Sequence, residues 1–177
     1  MKQLLAADNV QKALDELYRA VSGQLPPNMP IAIVGIRTRG EILAKRLVQR
    51  LNTDQPDLTV YFGVLDIGFY RDDLSRRRGA PLVRATEIDF DLDETWVLLV
   101  DDVMQTGRSV RAALQVLHDF GRPKIIRLAV LIDRGGRELP IAADFVGKHV
   151  DVPDDSRVQL KLTETDGQEG VYILKKK

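Results

Sequence analysis

Apolar and polar residues follow two different periods along the chain, and the switches between them mark its elements. Over residues 8–22 the apolar positions Val10, Ala13, Leu14, Leu17, Ala20 and Val21 recur at three- and four-residue spacing, which predicts a helix with one buried face. Asp8 stands where a capping side chain belongs, and Gly23, Pro26 and Pro27 end the segment. Residues 31–36 (IAIVGI) form an unbroken apolar run, as expected of a strand covered on both faces. After the polar Arg37-Thr38-Arg39-Gly40, the positions Ile42, Leu43, Leu47 and Leu51 give the inner face of a second helix over about residues 40–51. Residues 58–69 read as a further strand.

Periodicity then stops. Residues 70–81 are densely charged and predict a mobile loop, with a returning strand over about 82–88. Residues 96–100 (WVLLV) are a buried strand, 101–107 a turn, and 108–120 a helix closed by Gly121 and Pro123. Residues 125–132 form one more buried strand. The remainder carries short strands near 158–162 and 171–174 and no long helix. Strand–helix alternation through the middle predicts an α/β fold: a mostly parallel central sheet with helices on both faces. Residues from about 132 to 177 are expected to add a small C-terminal hood, within a single domain spanning 1–177.

Composition narrows the function classes. Lysine plus arginine and aspartate plus glutamate number 26 each, so net charge by itself points to neither nucleic acid nor a membrane surface. There is no cysteine, which excludes disulfides, thiolate metal sites and a cysteine nucleophile and fits a cytoplasmic protein. His118 and His149 are the only histidines, so any metal would meet mostly oxygen ligands or arrive with a substrate.

The chemically informative stretch is residues 97–109, VLLVDDVMQTGRS. A buried strand ends in Asp101 and Asp102, and Thr106-Gly107-Arg108-Ser109 opens a helix. N–H groups at a helix start are unpaired and lie at the positive end of the dipole, which suits a phosphate. Gly107 lets the backbone come close, the Thr106 and Ser109 hydroxyls can donate to phosphate oxygens, and the two carboxylates can accept from sugar hydroxyls. A phosphate site beside a diol site describes a ribose 5-phosphate. Paired strand-end aspartates also occur in receiver domains and aspartyl phosphatases, but those do not account for Thr-Gly-x-Ser. Neither the Gly-Lys-Ser/Thr of a Walker loop nor a Gly-x-Gly-x-x-Gly fingerprint is present.

This segment resembles the thirteen-residue signature for 5-phosphoribosyl-1-pyrophosphate (PRPP) of type I phosphoribosyltransferases. Further blocks resemble the PyrR family of pyrimidine-operon attenuators and uracil phosphoribosyltransferases: residues 35–40 (GIRTRG), 66–74 (DIGFYRDDL), 111–113, 121–123, 131–140 (LIDRGGRELP) and 143–148 (ADFVGK). The likeness runs over roughly residues 31–172. It implies that Arg37, Thr38, Arg39 and Gly40 form a pyrophosphate loop, as two cations, a hydroxyl and a glycine at a strand end suit a dense anion. It implies that Thr38, Arg39 and Asp101 through Ser109 (Val103, Met104, Gln105, Thr106, Gly107 and Arg108 among them) bind PRPP or UMP, with Asp101 and Asp102 catalytic. Magnesium is expected on PRPP, with no direct protein ligand. The charged stretch would close over the site, bringing Arg71, Arg76, Arg77 and Arg78, and Ile132, Arg134 and Val158 would belong to a hood over uracil.

The same resemblance implies UMP or UTP as signals, pyr leader mRNA as a partner and a homodimer or larger assembly. Lys12, Arg19, Arg137 and Lys148 are then the candidates for an RNA surface. Two places depart from the family pattern: the first helix carries Asp15-Glu16-Leu17-Tyr18-Arg19, and Gly136 stands where the family commonly has histidine. A phosphoribosyltransferase with no RNA role, or one acting on a purine base, is the alternative.

Overall fold

The computed structural model describes residues 1–70 and 85–175. In chain order the elements are β1 (Lys2–Ala6), α1 (Ala7–Ser22), β2 (Ile31–Ile36), α2 (Arg39–Asp54), β3 (Val60–Leu65), a single 3-10 turn (Gly68–Tyr70), β4 (Trp96–Met104), α3 (Arg108–Phe120), β5 (Ile125–Asp133), β6 (Phe145–His149), β7 (Ser156–Lys161), the short helix α4 (Thr163–Asp166) and β8 (Gly170–Lys175). The expected charged loop beyond Tyr70 and the first three residues of the expected returning strand lie outside the described residues, and residues 85–88 form no regular strand. Of the latter, Glu87 bridges Val64 in antiparallel fashion.

The central sheet has five strands in the order β3-β2-β4-β5-β6, every neighbouring pair parallel. Its side chains alternate between two cores, as strand geometry requires. Ile31, Ile33, Leu98, Val100, Ala129 and Leu131 pack under α1 and α2, whereas Ala32, Val34, Val97, Leu99, Leu128 and Val130 pack under α3. Helices therefore cover both faces, as the strand–helix alternation predicts. The helix stripes match in the main: Val10, Ala13, Leu14, Leu17 and Val21 on α1 and Leu43, Leu47 and Leu51 on α2 are buried, whereas Ala20 is exposed and Ile42 half-buried.

The hood differs from expectation in two ways. It is a three-stranded antiparallel sheet, β1-β8-β7, so the N-terminal strand belongs to it as well. Conversely β6, inside the expected hood range, is the fifth strand of the central sheet. Leu160 and Val171 of the small sheet and Leu162 just after β7 share the core of α1 and α2, which fastens the hood to the main body. At the start of α1, Ala6 occupies the cap position without a side-chain bond. Asp8 is the second residue of the helix because β1 runs directly into it; there it acts on the helix dipole and not as a cap.

Candidate active site

β4 is the element on which the site depends. Its pairing with β2 ends at Gly35 and Val100, but its pairing with β5 continues through Met104 and Asp133. Asp101 and Asp102 thus lie on a strand that has outrun one neighbour, and the expected turn over 101–107 is shortened to Gln105–Gly107. The chain leaves β2 toward β3 on one side and returns as β4 on the other, so a crevice opens where the strand order reverses. A cavity of about 510 Å³ occupies that place. Its walls come from Arg37–Arg39, from Asp101 through Val110, and from Arg134, Arg157, Val158 and Gln159.

Both aspartates line this cavity, Asp101 buried and Asp102 half-buried. Each is steadied by the following backbone: Asp102 N–H donates to Asp101 Oδ1 at 2.9 Å, and Val103 N–H to Asp102 Oδ1 at 2.8 Å. The next three carbonyls are all held from outside. Met104 O accepts from Arg134 N–H at 3.1 Å, Gln105 O from Arg137 Nη1 at 2.7 Å, and Thr106 O from the N–H groups of Glu138 and Leu139 at 3.1 Å each. In a trans peptide the N–H points opposite to the C=O. The N–H groups of Gln105, Thr106 and Gly107 therefore turn away from the 134–139 segment, and all three residues line the cavity.

Gly107 sits at φ +90°, a conformation in which a side chain would be strained, and the first intrahelical bond is Arg111 N–H to Gly107 O at 2.9 Å. The first turn of α3 thus faces the cavity ahead of its hydrogen-bond ladder. Oriented amides at the positive end of a helix make an anion site.

The opposite wall is the β2–α2 junction, where the Arg37–Thr38 peptide is cis. Two glycines pack it tightly, Gly40 against β4 and Gly35 of β2 against the first turn of α2. A Cβ on Gly40 would stand 2.4 Å from Val100 O, and one on Gly35 would stand 2.5 Å from Glu41 Cα. Arg37 donates from Nη2 to Glu87 at 2.5 Å. Arg39 is gripped by Asp166, from Nε at 3.1 Å and from Nη2 at 2.7 Å. That pair holds the Asp166 carboxyl down at about 2, chiefly through the Arg39 hydrogen bonds and against the opposing effect of burial.

The hood candidates divide. Val158 and Arg134 line the cavity, but Ile132 is fully buried in the core shared with α1. Arg134 is itself buried and donates to the Ser156 and Pro153 carbonyls at 2.5 and 3.3 Å, which ties β7 to the end of β5. Arg137, expected on an RNA surface, is instead half-buried: it donates to Gln105 O, to Ile141 O and to Asp133. Burial opposes charge on Asp133, but Arg137 and the Gly135 N–H hold its carboxyl below the usual range. Lys12, Arg19 and Lys148 are exposed. Arg71, Arg76, Arg77 and Arg78 lie outside the described residues. Sequence reasoning missed Arg157 and Gln159, which flank Val158 on β7, and the partner of Arg39, 127 positions away.

Residues 1–157 match the phosphoribosyl transferase domain family, and the chain belongs to it; it is a phosphoribosyltransferase. Solved structures agree on the fold. A hypoxanthine phosphoribosyltransferase from Staphylococcus aureus superposes with a TM-score of 0.68 at 19% identity, covering 96% of this chain and 90% of that one. One from Trypanosoma cruzi gives 0.71 at 18%, covering 98% and 95%. Among curated relatives, the bifunctional protein PyrR of Roseiflexus sp. is 49% identical over 98% of this chain and 95% of its own length. That of Pelotomaculum thermopropionicum is 47% identical over 97% and 94%. Within the larger class, this chain is a member of the PyrR family.

Proposed function

We propose that this phosphoribosyltransferase makes UMP and pyrophosphate from uracil and PRPP in the cytoplasm, and that it also binds pyr leader RNA under the control of uridine nucleotides. One observation carries the catalytic half: the amide-lined turn and the Asp101–Asp102 pair face the Arg37–Gly40 loop across one crevice. The 5-phosphate takes the turn at Gln105–Ser109, the ribose hydroxyls take the two carboxylates, and the pyrophosphate takes Thr38 and Arg39. Uracil nitrogen bonds to the anomeric carbon as the bond to pyrophosphate breaks, with its proton released to solvent. The carboxylates stabilise positive charge growing on the ribose ring. A magnesium ion would arrive with PRPP, and among the described residues Asp101 and Asp102 are the acidic side chains that line the crevice. Such an ion would neutralise charge on the leaving group.

The RNA half is supported by the α1–β6 surface. A Cβ on Gly147 would stand 2.8 Å from Ala13 O, so α1 lies directly on β6; Lys12 on α1 and Lys148 on β6 are both exposed. Arg19 lies two turns farther along α1, and the intervening Asp15 is engaged by Arg50 at 2.5 Å. Exposed cations suit a phosphate backbone, and the exposed Glu16, one turn from both Lys12 and Arg19, is the acid that opposes them. A homodimer would double this surface.

The experiment that tests the enzyme presents uracil, hypoxanthine, guanine and orotate in turn, with PRPP and magnesium, and follows pyrophosphate release. Release is expected with uracil. Release with a purine alone would overturn the assignment of the base.

A further inference from the structure

Arg39 and Arg46 lie seven residues apart on α2, about two turns, and both reach the β7–β8 connection. Arg46 donates to Glu164 at 2.9 and 2.8 Å and to Glu169 at 2.9 Å from two nitrogens. Arg39 donates to Asp166, which also accepts from Leu162 N–H at 3.0 Å and from Thr165 Oγ1 at 2.8 Å. The Asp166 carboxylate is therefore fixed by its own turn before it meets Arg39. It grips the guanidinium by the Nε–Nη2 edge, which leaves the Nη1 edge for a second anion. Arg39 lines the cavity, while Asp166 stands behind it.

From this we infer that Asp166 is a positioning residue for pyrophosphate: it holds the Arg39 guanidinium in the orientation that the leaving group needs. The inference rests on the reading that the cavity takes PRPP. The small antiparallel sheet then does more than cover the base. Through α4 it sets the anion site at the start of α2, and Arg46 keeps that turn docked by contacts that do not involve Asp166. A preset arginine spares the binding step the ordering of a long, flexible side chain.

The test compares Asp166→Asn with wild type by steady-state kinetics and by calorimetric titration with magnesium pyrophosphate. The variant should raise KM for PRPP about tenfold and weaken pyrophosphate equally, with KM for uracil and kcat within about twofold. In an Arg39→Lys background the same substitution should add less than about twofold, because the pair acts as a unit. Asp166→Glu keeps the charge and moves it by a methylene; an intermediate rise is expected, and it reads the same quantity should the asparagine variant fold poorly. Glu169→Gln, which weakens the contacts of Arg46 and Thr163 but none of Asp166, should leave KM for PRPP unchanged. Wild-type PRPP affinity in both Asp166 variants would overturn the inference, as would equal losses for PRPP and uracil. If wild type itself binds neither PRPP nor pyrophosphate, the reading of the cavity falls first.

Discussion

Replacing Gly40 with alanine asks whether the two walls of the cavity must touch at backbone distance. The added Cβ would lie 2.4 Å from Val100 O, 3.2 Å from Asp101 Cα and 3.3 Å from Val100 C, all main-chain atoms of β4. An ordinary carbon–oxygen contact is about 3.3 Å, so the start of α2 must retreat from β4 by about 0.9 Å. Gly40 is not in the left-handed region, and alanine in a helix normally stabilises by about 1 kcal/mol. Any net destabilisation therefore reports the clash, and overpacking of this kind costs about 1–3 kcal/mol. The larger effect falls on function: Arg39 and Thr38 move away from Asp101, and a shift near 1 Å at a reacting centre costs about a hundredfold. Urea melts and PRPP-dependent kcat/KM measure the two quantities. Gly23→Ala, whose Cβ comes no closer than 3.3 Å to Arg19 O, is the control and should behave as wild type in both. Activity of Gly40→Ala within about threefold of wild type would refute the claim that close contact of these walls sets the site.

Leu98 is fully buried in the central strand, so Leu98→Ala should lower unfolding free energy by about 2–5 kcal/mol in urea. Asp166 has a folded-state pKa of about 2 against 3.8 unperturbed, so its stabilising contribution is complete above 3.8 and lost as pH falls through about 2. Asp166→Asn should lose less stability than wild type across that window, by on the order of 1 kcal/mol once solvent screening is allowed for; an identical acid limb would contradict the pairing. Replacing Lys12 and Lys148 together by alanine should weaken leader-RNA binding in filter assays and reduce the salt slope by about 2, one for each phosphate contact. An unchanged slope would remove the α1–β6 surface from RNA recognition.

The parts legible in the sequence were those set by local pattern. The apolar runs of β2, β4 and β5, the stripes of α1 and α2, and the Thr-Gly-x-Ser turn ahead of α3 all carry their signals within a dozen residues. What escaped depends on partners far along the chain. β1 has five residues, and pairing with β8, more than 160 positions away, is what makes it a strand. β6 is equally short and completes the central sheet only through β5. Asp101 and Asp102 read as a turn because they are polar; β5 draws them into β4 after β2 has ended. Arg137 looked like surface cation, yet Gln105 O and Asp133 spend its donors on the turn that faces the cavity. Spacing along the chain could not reveal the acceptors of Arg137 or of Arg39.

The central claim is that the crevice beside β4 grips PRPP, with Asp101 and Asp102 on its ribose. Its most direct test is PRPP- and uracil-dependent pyrophosphate release by wild type and by Asp101→Asn/Asp102→Asn. The account predicts robust release from wild type and a loss of at least about a hundredfold in the double variant, with folding retained. Equal rates from the two proteins would contradict it.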